Sequence, residues 1–227
     1  MTSHERVPLG EIRDLLFADL DVPGVRRVFR PAPVGDGPDV GSALLALASA
    51  AEAGDADGAG TQLRLLLGSG PETRVRLQAW SLARRAGVPL AGDAHRIRAV
   101  IVDMGMEDGV DTVAAFEDGS ARYLNQAGGG IFWEVGQANG GDVRSAIAAL
   151  LEAGQRVVDA TGPLDGERPD APSNGVAEIW LLTDGGIHLG MGPADVIGRD
   201  RLGGPVLGAA FQLMTTLMAR THRKPQD

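Results

Sequence analysis

Up to Gly92 the apolar residues recur with the period of a helix, and from Arg96 onward with the period of strands. Ile12, Leu15, Leu16 and Leu20 take the i, i+3, i+4, i+8 spacing of one helical face, which predicts a helix over Glu11–Leu20. After a Pro/Gly segment from Arg30 to Pro38, Asp39 stands where it can cap a helix running through Leu44, Leu45 and Leu47 to about Ala53. Gly54-Asp-Ala-Asp-Gly58 interrupts the pattern and Gln62–Leu67 resumes it. Ser69-Gly-Pro-Glu72 has the layout of a capping box, ahead of an apolar set at Val75, Leu77, Trp80 and Leu82. Gly87 and Pro89 supply the stop.

The strand pattern begins with Ile97–Val102, β-branched and nearly continuous, as expected of a strand covered on both faces. Val110–Phe116 is a second strand, Asp118-Gly119 a two-residue hairpin signal, and Ala121–Asn125 and Ile131–Val135 complete a four-stranded antiparallel meander. Asp142 is placed to cap a helix with Val143, Ile147, Leu150, Leu151 and Val157 as its stripe. Val176–Thr183 and Ile187–Gly190 return to strand around Asp184-Gly-Gly186, and Gly203-Gly-Pro205 opens a last helix.

The fold expected is therefore α+β. A helical N-terminal unit, residues 1–92, precedes a sheet unit, residues 93–227, of order ββββ-α-ββ-α with its helices on one face. Over about Arg96 to Thr221 that order resembles the small modules of the roadblock, longin and profilin-like type. The resemblance implies an interaction platform, and no functional residue is carried over from it.

Charge and composition narrow the function classes. A net charge of -9 argues against a nucleic-acid or anionic-membrane partner, because both need clustered Lys and Arg. The chain contains no cysteine, which removes disulfides, thiolate nucleophiles and Cys-based metal sites. No secretory signal and no apolar run of about 20 residues is present, so a cytoplasmic location is expected. Arg74, Arg76, Arg84 and Arg85 spread around one helix and read as a solvated face. The tail after Arg220 reads as cations at a helix C-terminus.

Three segments could carry chemistry. The acidic stretch Asp103, Glu107, Asp108 and Asp111, with His188 added, is the candidate set for a hard cation and a metal-assisted hydrolase. Its spacing fails the EF-hand loop, and a polar hairpin is the competing reading. Gly136–Asp142 precedes a helix as phosphate loops do, but it lacks GxGxxG and GxxxxGK[ST], and Asp142 puts negative charge where a phosphate would sit. His188 with Asp184 could transfer protons, yet no nucleophile accompanies them.

Aromatics are few, and Tyr123, Phe132 and Trp133 on neighbouring strands could face outward as an interaction surface. Phe211, Met214 and Met218 belong to a band on the last helix wider than one packed face needs. Together these favour a non-enzymatic protein-interaction or assembly module, associating with itself or with another protein and needing no cofactor.

Overall fold

The computed structural model describes Arg13 and residues 15–31, 39–90, 92–137 and 140–221. The N-terminal helices are α1 (Val22–Val28), α2 (Val40–Ala53), α3 (Ala56–Gly68) and α4 (Thr73–Arg85). Asp21, Asp39 and Asp55 each accept the amide three residues on, from Gly24, Ser42 and Gly58, satisfying a donor that the first turn leaves free. Gly54 ends α2 in the left-handed region at φ 66°, so the interruption expected over 54–58 narrows to a tight corner at Gly54 and Asp55, and Ala56–Gly58 already belong to α3.

Several helix boundaries differ from the expected ones, α3 beginning at Ala56 and not at Gln62. The chain is helical at Arg13, Leu15 and Leu16 but leaves the helix at Phe17, and Ala18 has φ 51°. The reason is tertiary: Phe17 and Ala18 are buried against the sheet, and the backbone of Leu20 is held at its N–H and C=O by the side-chain amide of Gln78. The rest of the helix expected over Glu11–Leu20 lies outside the described residues. Ser69, expected to cap α4, instead ends α3, its hydroxyl donating to the Leu66 carbonyl at 2.7 Å. The start of α4 is capped from far along the chain, by Asp118 accepting from the Thr73 amide at 2.8 Å while Thr73 Oγ1 accepts from the Asp118 amide.

The second half contains β1 (Ile97–Met106), β2 (Gly109–Phe116), β3 (Ala121–Leu124), β4 (Gly130–Trp133), α5 (Gly141–Val158), β5 (Val176–Thr183), β6 (Gly186–Pro193), a short α6 (Ala194–Ile197) and α7 (Gly203–Thr221). The six strands form one antiparallel sheet in the order β4-β3-β2-β1-β5-β6. β1 lies between β2 and β5 and is covered by other segments of the chain on both sides of the sheet, which is why its sequence reads as buried on both faces. Asp142 sits in the first turn of α5, not at its cap, and pairs with Arg220 at the end of α7.

Period-2 alternation sorts the strands into two cores. Val100, Val102, Val113, Tyr123, Ile179 and Leu181 face α5 and α7, the single-sided cover expected of the two helices. Gly154 lets α5 come close, since a Cβ there would stand 2.6 Å from Val100 Cγ2. On the other face Ala99, Ile101, Ala114, Phe116, Trp180 and Leu182 pack with Leu16, Phe17 and Leu77. A third cluster fills the space among α1, α2, α3 and α4 around Leu44, Leu47, Leu63 and Trp80.

Candidate functional site

The acidic set is divided by the sheet. Asp103 pairs across β1 and β2 with Thr112, whereas Asp111 pairs with Met104, so the two carboxylates stand on opposite faces. Asp103 is fully buried and bonded to Arg13 and Thr112 at 2.5 Å each and to the Trp180 indole at 3.1 Å. Asp111 accepts from the Tyr123 hydroxyl and the Gln126 amide. Glu107 and Asp108 occupy the exposed turn between β1 and β2.

His188 is buried at the other end of the sheet beside Leu181, with Nδ1 2.9 Å from Thr161 Oγ1. Burial, aided by the charge of His95, pulls its pKa below the ordinary value. Among the described residues no three His, Asp or Glu side chains are grouped to hold a metal. His188 and Asp184 do not form the pair their spacing suggested. His4 and His222, and the tail beyond Thr221, lie outside the described residues.

Asp184 is the hub of a buried ion network. Its carboxylate, at 0% exposure, accepts from Arg76 Nε at 3.0 Å and from Arg98 Nη2 at 2.9 Å. Arg98, also buried, binds Asp93 at 2.5 Å and Glu117 at 2.8 Å as well. It is the extra residue of a β-bulge between Ile97 and Ala99. Burial opposes its charge, but Glu117, Asp184 and Asp93 outweigh that and hold the guanidinium firmly protonated. Arg84 joins through Nη1, which donates to the Asp184 carbonyl oxygen at 2.5 Å. Arg76 and Arg84 thus belong to this network and not to the solvated helix face the sequence suggested. Nothing in local sequence could reveal it, because the partners lie about a hundred positions apart.

Beside the network opens a cavity of about 1470 Å³, bounded by Arg13, Leu15, the stretch 19–28, the end of α4, the loop after α5 and the β5–β6 turn. Arg27, Arg84 and Arg85 line it with Leu20, Leu164 and Ile187. Of its acidic side chains, Asp19 is paired with Arg168 and Asp21 caps α1, leaving Glu167 and Asp170.

Beneath Arg13, Glu178 stands directly opposite Asp103 across β1 and β5. Both are buried, and Glu178 Oε2 has no hydrogen-bond partner among the described residues, its nearest cation being Arg13 Nη2 at 4.0 Å. Burial and then the Asp103 charge push Glu178 up to about 7, against the opposing pull of Arg13.

The structure separates the six apolar residues expected to form an interaction surface. Tyr123 and Trp133 lie in the core beneath the helices, and Met214 packs at its edge. The alternation along β3 and β4 that places them there leaves Phe132 on the opposite face, 47% exposed under the Arg122 guanidinium. Phe211 at 52% and Met218 at 38% stand on the outer side of α7 with Gly208 and Thr215. The buried side of the same helix is Val206, Ala210, Leu213 and Leu217.

No helix among the described residues is long and apolar enough to cross a membrane. No protein-family model matches the chain, and neither does any curated protein or solved structure.

Proposed function

We propose that this protein is a non-enzymatic interaction module that assembles with a second copy of itself through the outer face of α7. The observation that carries this reading is the charge-free character of that face. From Gly203 to Ala219 there is no charged residue, although the chain as a whole carries -9. A helix packed on one side ordinarily presents charges on the other.

Here the outer side presents Phe211 and Met218, two turns apart, with Thr215 and Gly208 between and beside them. Two copies of so acidic a chain repel each other over most of their surfaces, so an uncharged patch is where they can approach. An aromatic ring and a flexible thioether suit a surface that must meet its own copy about a two-fold axis.

Sedimentation velocity on the full chain tests this. Wild type is expected to sediment as a dimer or larger species, and Phe211→Glu and Met218→Glu as monomers with unchanged circular dichroism, because a buried charge without a partner is costly. A wild type that stays monomeric at every concentration, or variants that keep the wild-type mass, would contradict the proposal. Met214 is unsuited to this test, since its contact with the core would confound assembly with folding.

A further inference from the structure

We propose that Ser81, Arg84 and Arg85 form a binding site for a single oxyanion, the phosphate or carboxylate end of a ligand whose apolar body lies along the neighbouring cavity. The three residues follow the i, i+3, i+4 spacing of one face of α4, and all three line the cavity. Arg84 is already oriented, because the Asp184 carbonyl fixes its Nη1. Its Nε and Nη2, the edge that takes a carboxylate or phosphate side-on, have no partner among the described residues. The hydroxyl of Ser81, a buried residue, likewise has none, and neither does the Arg85 guanidinium.

Charge near Arg84 is unbalanced in the same sense. Arg76, Arg96 and Arg98 gather around Asp93, Glu117 and Asp184, Arg84 joins them at the Asp184 carbonyl, and the Asp184 carboxylate is shared by Arg76 and Arg98. Arg84 is therefore a partly buried cation without a carboxylate of its own, and burial lowers its pKa despite Asp184. The negative end of α4 does not offset this locally. Its last carbonyls are occupied, with Leu82 accepting from Ala86, Ala83 from Val88 and Arg84 from Gly87.

The rest of the cavity defines the ligand. Leu20, Val28, Leu164 and Ile187 give an apolar wall, whereas Glu167 and Asp170 disfavour a polyanion. A ligand with one terminal oxyanion and an apolar body fits both features. Phenyl phosphate, mostly a dianion at neutral pH, and 3-phenylpropionate, a monoanion, both have that form and separate the two oxyanions.

Each probe would be titrated into the full chain by isothermal calorimetry. Saturable binding of at least one is expected, about tenfold weaker in Arg84→Gln, the loss of one charge-assisted contact. The same probe should bind less tightly to Arg85→Gln and Ser81→Ala, which keep the contact to Asp184 and hence the fold even if Arg84→Gln does not. Arg201→Gln, an exposed arginine outside the cavity, should leave affinity unchanged. Absence of saturable binding by both probes, or equal affinity in wild type, Arg85→Gln and Ser81→Ala, would overturn the site. The tighter probe identifies which oxyanion the site prefers.

Discussion

A carboxyl group with no hydrogen bond to one of its oxygens, facing a second carboxylate across a strand pair, is under stress that a titration can read. Glu178 is in that position, with Asp103 opposite and Arg13 and Arg168 the cations that act on it. Its folded pKa of about 7 lies above the ordinary 4.5, so the folded state holds a proton that the unfolded state releases first. Stability from this residue is fully present below about 4.5 and is lost as pH rises through about 7. Glu178→Gln mimics the protonated form. It is expected to raise stability at pH 8 by about 1–3 kcal/mol and to have little effect near pH 5, measured by urea denaturation at the two values. Destabilisation at pH 8 would mean that the ionised carboxylate is needed by Arg13. Neither the pairing with Asp103 nor the burial was legible in the sequence, where Glu178 is one polar residue in an apolar strand.

At the scale of elements the sequence was read best where a rule acts over a few residues. The cap at Asp39 and the corner at Gly54 follow from local chemistry, and so do all six strands, five of which have ends moved by one to four positions. Local rules give way where a distant group replaces a near one. Ser69 had the spacing of a cap, but Asp118, brought up by the β2–β3 hairpin, took that role at α4. The Asp118 carboxyl is raised by burial and lowered more by its bonds from Ser120 and Thr73, and it ends below the usual carboxylate range. Its contribution is thus present above the unfolded value near 4 and lost as pH falls through the lower folded value. Asp118→Ala is expected to cost about 1–2 kcal/mol at neutral pH, and Ser69→Ala only a few tenths. Chemical denaturation of both variants checks the order, and a larger loss at Ser69 would return the cap to it. Arg98 teaches the same lesson, since only the bulge in β1 aims it at Asp184.

For the whole molecule the change of period near Gly92 marks the passage from helices to sheet. It says nothing of the contacts that cross it. Phe17 meets Trp180 edge to face at 5.2 Å, and Leu77 packs with them over Ile101 and Phe116. Arg76 reaches Asp184 from the same side. A chain cut between Pro89 and Arg96 is expected to leave residues 93–227 with this apolar face open. That fragment should bind a hydrophobic dye and aggregate unless residues 1–92 are supplied alongside it. A monodisperse fragment with native circular dichroism would show that the sheet unit stands alone. The outer face of α7 lies on the side of the sheet away from these contacts, so assembly through it leaves them intact. Its exposed apolar band was legible as excess width in the helical pattern, whereas which of its residues faced out required the position of α5 and the sheet.

Because the chain has no cysteine, Thr215→Cys introduces a single thiol in the middle of that face, and a spin label there reports directly on a second copy. Double electron–electron resonance is expected to show an intermolecular dipolar modulation that disappears when Phe211→Glu is added. A labelled protein without intermolecular modulation, or with a modulation that Phe211→Glu leaves unchanged, would contradict assembly through α7.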